Sequence, residues 1–195
     1  MIEKIKSLIK ESIATKERMI RENAGIIADV AGLMIKAYKD GKKIMVFGNG
    51  GSAGDAQHLA TELVCRFEKN RESLQCVALT TNSSMLTAIG NDYGFDRVFS
   101  RQVESSAGRG DIVIGISTSG NSPNVLFGLQ QAKKQGAVTV AWTGKSGGKI
   151  KDAADYCIRI PSDNTARIQE GHLLLIHLLC GLVEQELFNE SKTKD

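Results

Sequence analysis

Five apolar runs, "KIMVFG" at 43–48, "QCVALT" at 75–80, "DIVIGIS" at 111–117, "AVTVAWTG" at 137–144 and "DYCIRIP" at 155–161, punctuate a chain whose other segments repeat apolar residues at a helical period. A strand that is apolar on both faces must be covered on both faces, and strands separated by helical segments pair in parallel. The pattern therefore predicts an α/β fold, a five-stranded parallel sheet flanked by helices on both faces. The helices are expected over 53–67, 83–88, 95–107, 123–135, 146–153 and 166–188. In such sheets ligands bind beyond the carboxyl ends of the strands, where loops open into helix N-termini.

Before the first strand, residues 2–38 place Ile5, Leu8, Ile9 and Ile13, then Ile26, Ile27, Val30, Leu33 and Met34 at helical spacing. This predicts two helices or one long kinked one. Its apolar stripe suits association with another chain and equally suits packing on its own sheet, because periodicity does not name the partner. At 195 residues the chain reads as one domain, 1–195, with a helical arm over 1–40 and an α/β core with a long C-terminal helix over 41–190.

Twenty-five basic and 22 acidic residues are interspersed and leave a net charge of only +3. No concentrated basic face is available for a phosphate backbone, so nucleic acid is not an expected partner. Charges recur too often in "MIEKIKSLIKESI" for a signal peptide, and no apolar window is expected to reach the ~20 residues of a membrane span. Cys65, Cys76, Cys157 and Cys180 have no CxxC spacing and sit in apolar or periodic segments, as packed, reduced thiols do. These features predict a cytoplasmic protein with no membrane partner.

The loop after the first strand, "FGNGGSAGDAQHLATEL", matches G-x-G-x-x-A through Gly48, Gly50 and Ala53. A dinucleotide site would also want an acidic residue ending the second strand, where this chain has "TTNSS". A Walker loop would want Gly-Lys-Ser/Thr, and no lysine lies between Lys43 and Lys69. The loop instead offers backbone N–H groups with Asn49 and Ser52, suited to a phosphorylated or polyhydroxylated small molecule. A second loop, "GISTSGNSPNV", carries Ser117, Thr118, Ser119 and Ser122 before Pro123, at an expected helix start. Hydroxyls and N–H groups there can hold a phosphate dianion without lysine.

These loops, with "AIGNDYGFDRVFSRQV", "AVTVAWTG" and "ARIQEGHLLLIHLLCGLVE", resemble the phosphoheptose isomerases of the sugar-isomerase (SIS) domain class, over residues 20–188. The resemblance implies a flavodoxin-like three-layer sandwich and conversion of D-sedoheptulose 7-phosphate to D-glycero-D-manno-heptose 7-phosphate. That is the first step toward ADP- or GDP-heptose for the lipopolysaccharide core and other surface glycans. It also implies a homotetramer with sites at subunit contacts and one zinc per subunit. By the matching motifs, Asn49, Gly50, Gly51, Ser52, Glu62, Asn91, Asp92 and Gln169 would contact the sugar phosphate, and Ser117, Thr118, Ser119 and Ser122 its phosphate. His58, Glu62, Gln169 and His177 would hold the metal, with Glu62 and His177 catalytic. One neighbouring position departs: Ala166 stands where family members can carry an acidic residue.

The residues support these roles on physical grounds. His58 and Glu62, four apart on one expected helix, share a face next to the glycine loop. Aldose-ketose isomerisation moves a proton between adjacent carbons through an enediol, which needs a base and stabilised oxyanion charge. Glu62 suits the base and His177 the acid or proton carrier. His172 lies on another face from His177, belongs to no motif and is expected to be structural. Gln169 and His177, if both lay on one straight helix, would be ~12 Å apart along it. A single zinc site would then need Gln169 to reach inward from a frayed helix start or a ligand from a neighbouring subunit, and in the second case mixed oligomers of Glu62→Gln and His177→Ala chains would regain activity. A non-catalytic SIS protein, binding the replication initiator or sensing a sugar phosphate, is the alternative, and Glu62 and His177 speak against it. An enzyme of the same class acting on a hexulose or arabinose phosphate is a second.

Overall fold

A computed structural model describes residues 1–189. The elements are α1 (Ile2–Lys39), β1 (Ile44–Gly48), α2 (Gly51–Val64), β2 (Cys76–Ala78), α3 (Ser83–Tyr93), a 3₁₀ turn (Phe95–Arg97), α4 (Ser100–Ser106), β3 (Ile112–Ser117), α5 (Pro123–Lys134), β4 (Val138–Thr143), β5 (Tyr156–Arg159) and α6 (Thr165–Leu187). All strands pair in parallel in the order β2-β1-β3-β4-β5.

Alternation along the strands builds three layers. Ile44, Val46, Ile112, Ile114, Ile116, Val140, Trp142 and Ile158 face a core shared with α1, α2 and α6. Met45, Phe47, Val113 and Ala141 face the opposite core, shared with α4 and α5. Strand order reverses between β1 and β3, and there two adjacent strands send their following loops in opposite directions and leave a crevice. The glycine loop after β1 and the serine loop after β3 both open at this point.

Several local expectations are corrected. The arm is one continuous helix, since neither Gly25 nor Gly32 interrupts α1. The 95–107 helix divides into the 3₁₀ turn and α4, and α3 runs on to Tyr93. No helix forms over 146–153: Gly147 and Gly148 adopt φ of 74° and 52°, the left-handed region that a right-handed helix cannot include. That segment serves the serine loop instead, with Ile150 N–H donating to Gly120 O (3.0 Å) and Lys149 N–H to Asn121 Oδ1 (3.1 Å).

Cys76 and Cys180 are buried and Cys157 is half-buried, but Cys65 is exposed because it caps the end of α2. Burial pushes the Cys180 thiol up to about 12, which keeps it protonated and inert. Contrary to expectation, α6 is long and apolar enough to cross a membrane by length and composition. Its Leu175, Ile176, Leu179 and Val183 instead pack into the core against the sheet, as a central helix of an α/β domain does.

Candidate active site

Helices α2 and α6 lie side by side and run in the same direction, so their residues meet level by level. At the first level the Gln169 amide lies against Gly51, where any β-carbon would overlap it. One level on, Asp55 Oδ2 is 3.9 Å from His172 Nδ1. At the third, His58 and His177 meet edge to face at 5.2 Å between ring centroids, and His58 Nε2 is 3.0 Å from Glu62 Oε1. His58, Glu62 and His177 form one cluster whose ligand atoms all lie within 4.8 Å of one another, each side chain half-buried. Phe67, from the segment after α2, stacks on the His177 ring at 5.6 Å and 28°.

The glycine loop turns on Gly50, at φ 55°, and α2 starts without a side-chain cap or an acidic residue in its first turn. Asn49 does not point outward. Its amide exchanges two 2.9 Å hydrogen bonds with that of the buried Asn124, at the start of α5. The pair ties the glycine loop to the serine loop across the switch point. Asn124 is a residue that sequence reasoning missed, although it stands in the quoted "SPNV". Ser52 is also buried, beneath the loop.

In the serine loop, Ser117 Oγ sits 3.0 Å from Ser122 Oγ and 3.4 Å from Ser119 Oγ, so three hydroxyls converge. Ser122 occupies the N-cap of α5 without spending its hydroxyl on a cap bond, and Pro123 follows at the first turn. Thr118 is half-buried and its carbonyl accepts from Gly144 N–H at 3.0 Å. Gly120, at φ 65°, makes the turn while packed against the Gly147 carbonyl, where a side chain has no room. Asn91 and Asp92 bond to each other at 2.8 Å on the exposed end of α3. Among the described residues they have no hydrogen bond to either loop.

The SIS domain family model matches residues 8–144. The chain is 52% identical over 191 residues to the phosphoheptose isomerase of Aquifex aeolicus (strain VF5), covering 98% of this chain and 100% of that one. The chain belongs to the phosphoheptose isomerases of the SIS domain family. Among solved structures it resembles the phosphoheptose isomerase of Francisella tularensis with a TM-score of 0.91 at 37% identity, covering 94% of this chain and 98% of that one. For the phosphoheptose isomerase of Neisseria gonorrhoeae the TM-score is 0.89 at 42% identity, with the same coverage.

Against this phosphoheptose isomerase framework, the three-residue cluster is contained in one chain. Parallel packing of α2 and α6 brings His58, Glu62 and His177 together within one chain, while the Gln169 amide lies two levels away against Gly51. Two imidazoles and a carboxylate at this spacing fit zinc, whose open sites commonly use two histidines and a glutamate.

The Asp55–His172 contact below the cluster has a pH consequence. Burial holds His172 down at about 4 from its ordinary 6.5, and burial pushes Asp55 up to about 6 from 3.8. Between pH 6.5 and 4 the unfolded chain protonates the histidine while the folded chain does not, so this group loses stability as pH falls. Between 3.8 and 6 the folded chain protonates the aspartate while the unfolded chain does not, so that group loses stability as pH rises. The two terms oppose over the shared window. Asp55→Asn removes the second and should expose a steep acid destabilisation, ~1.4 kcal/mol per pH unit at its limit. Urea midpoints at pH 7 and pH 4.5 would show it, and equal midpoint shifts in wild type and variant would refute it.

Proposed function

We propose that the chain interconverts D-sedoheptulose 7-phosphate and D-glycero-D-manno-heptose 7-phosphate through an enediol, the first step toward activated heptose for surface glycans. The observation that carries this reading is the His58–Glu62–His177 cluster on α2 and α6, with α2 itself starting from the glycine loop at the sheet's switch point. The serine loop takes the phosphate, because converging hydroxyls and an uncharged helix start offer donors to a dianion. The glycine loop, with Gly50, Gly51 and Gln169, lines the path of the sugar chain.

Glu62 removes the proton from C1 of the ketose and returns it to C2, since one carboxylate placed over adjacent carbons serves both transfers. His177, beside it, carries the proton between the two sugar oxygens as the carbonyl changes place. His58 stands 3.0 Å from Glu62 and orients the carboxylate. Zinc, one per subunit, would be held by His58, Glu62 and His177, while Gln169 lies two levels away against Gly51, and would supply Lewis-acid polarisation of the carbonyl.

The assembly we propose is a homotetramer working in the cytoplasm. Ile2, Ile5, Ile9 and Ile13 on α1 are exposed, and α3, which carries Asn91 and Asp92, buries no residue in the single chain. A large apolar surface of this kind supports association, and a neighbour covering α3 would bring Asn91 and Asp92 to a sugar. The test is a panel of phosphosugars. The heptulose 7-phosphate should be isomerised with kcat/KM at least about tenfold above arabinose 5-phosphate or a hexulose 6-phosphate, a margin of ~1.4 kcal/mol in transition-state binding. Preference for a pentose or hexose phosphate would move the substrate assignment.

A further inference from the structure

Beyond the cluster, α6 carries a carboxylate in its most apolar stretch. Glu184 lies two turns past His177, and its side chain is 3% exposed. Three donors converge on it, all from the segment that follows α2: Glu68 N–H at 2.9 Å, Lys69 N–H at 2.9 Å and Arg71 Nε at 3.2 Å. Arg71, itself 1% exposed, turns the rest of its guanidinium back to α2. Nη2 donates to the Glu62 carbonyl at 2.9 Å, and Nη1 to the carbonyls of Leu63 at 2.8 Å and Glu72 at 2.9 Å.

One buried fork thus joins the backbone of Glu62 to α6 near His177. It also anchors the segment from which Phe67 reaches the His177 ring. We infer that Arg71 and Glu184 form a positioning clamp: the pair sets the separation of Glu62 from His177 and holds Phe67 as the wall that fixes the imidazole plane. The clamp rests on the function proposed above for those two side chains.

The chemistry of the pair supports this role. Burying two charges is a poor way to gain stability, because apolar residues of similar volume commonly do as well. What the ion pair supplies is direction, since a planar guanidinium presents donors at fixed angles and cannot slide along its partners. Two of the carbonyls it binds, those of Glu62 and Leu63, belong to the last turn of α2, whose C=O groups have no partner within the helix, so the bonds both satisfy them and fix where the helix ends. The Glu62 side chain projects from that turn. A shift of about 1 Å between acid and base can cost on the order of 10²-fold in turnover.

The experiment uses the full-length protein, with Arg71→Lys, Glu184→Gln and Phe67→Leu compared with wild type. Lysine keeps the charge and loses the fork, and glutamine keeps the shape and loses the charge. Each clamp variant should lower kcat by at least about tenfold while KM stays within about twofold, measured well below its melting temperature. With only three histidines in the chain, single substitutions assign the His177 ring protons by NMR. Their resonance should move in both clamp variants and in Phe67→Leu, because the stacked ring shields them.

A lowered melting temperature with unchanged kcat and an unmoved His177 resonance would show a merely structural pair and overturn the inference. Phe67→Leu touches only a half-buried ring and decides the question if the clamp variants do not fold: wild-type kcat and an unmoved resonance there also overturn it. Should wild type isomerise no heptulose phosphate, the function proposed above fails, while the His177 resonance in Arg71→Lys still decides the clamp.

Discussion

Replacing Glu62 with glutamine is expected to lower kcat by at least about 10²-fold, and up to about 10⁴-fold, while the fold is retained. Glutamine keeps the size of the side chain and a bond to His58, now 3.0 Å from Glu62 Oε1, but removes the only carboxylate in the three-residue cluster. A carboxylate offers two oxygens on one planar group, which suits it to serve two adjacent carbons. KM should change little, because the proposed phosphate contacts at the serine loop would contribute equally to ground and transition states. The check is a steady-state comparison at matched zinc content, with circular dichroism to establish folding. Activity within about fivefold of wild type would transfer the base role to His177.

The second large effect is an absence of rescue. Oligomers assembled from Glu62→Gln and His177→Ala chains, each inactive alone, should stay at background, below about 1% of wild type. His58, Glu62 and His177 come together within one chain, so mixing two defective chains regenerates no intact set. Rescue was expected if the site drew ligands from two subunits, and the meeting of these three side chains within one chain argues against it for this pair of variants. Co-refolding the two variants and assaying the mixture is sufficient. Recovery toward a quarter of wild-type activity would mean that α2 of one subunit works with α6 of another.

That meeting shows where sequence ceases to be informative. The sheet was legible because each strand is apolar on both faces, and the three layers follow from residues such as Val46 and Phe47 pointing to opposite cores. The pairing of His58 with Glu62 was legible because four residues make one helical turn. The approach of His177 was not, since it depends on α2 packing parallel to α6 through Leu59, Leu63, Leu175 and Leu179, a long-range contact that no local period encodes. Asn49 read as a ligand contact, and only the fold places Asn124 where it can take both ends of the amide. Arg71 was hidden for another reason: "RFEKNRES" reads as a solvated charged loop, and its burial is visible only against Glu184. A carboxylate such as Glu184 inside "LLCGLVEQEL" is the one local sign that a buried cation was required.

Proton transfer by Glu62 between adjacent carbons of a seven-carbon ketose phosphate is the central step of the proposed reaction. Incubating the purified protein with D-sedoheptulose 7-phosphate in D₂O, and following the sugar by NMR, tests this most directly. Wild type should produce the aldose heptose 7-phosphate at a rate proportional to protein, with deuterium entering C2 wherever the Glu62 carboxyl exchanges its proton with solvent before returning it, and Glu62→Gln should produce almost none. A ketose that persists unchanged with zinc supplied, or an aldose formed equally fast by the variant, would contradict the account.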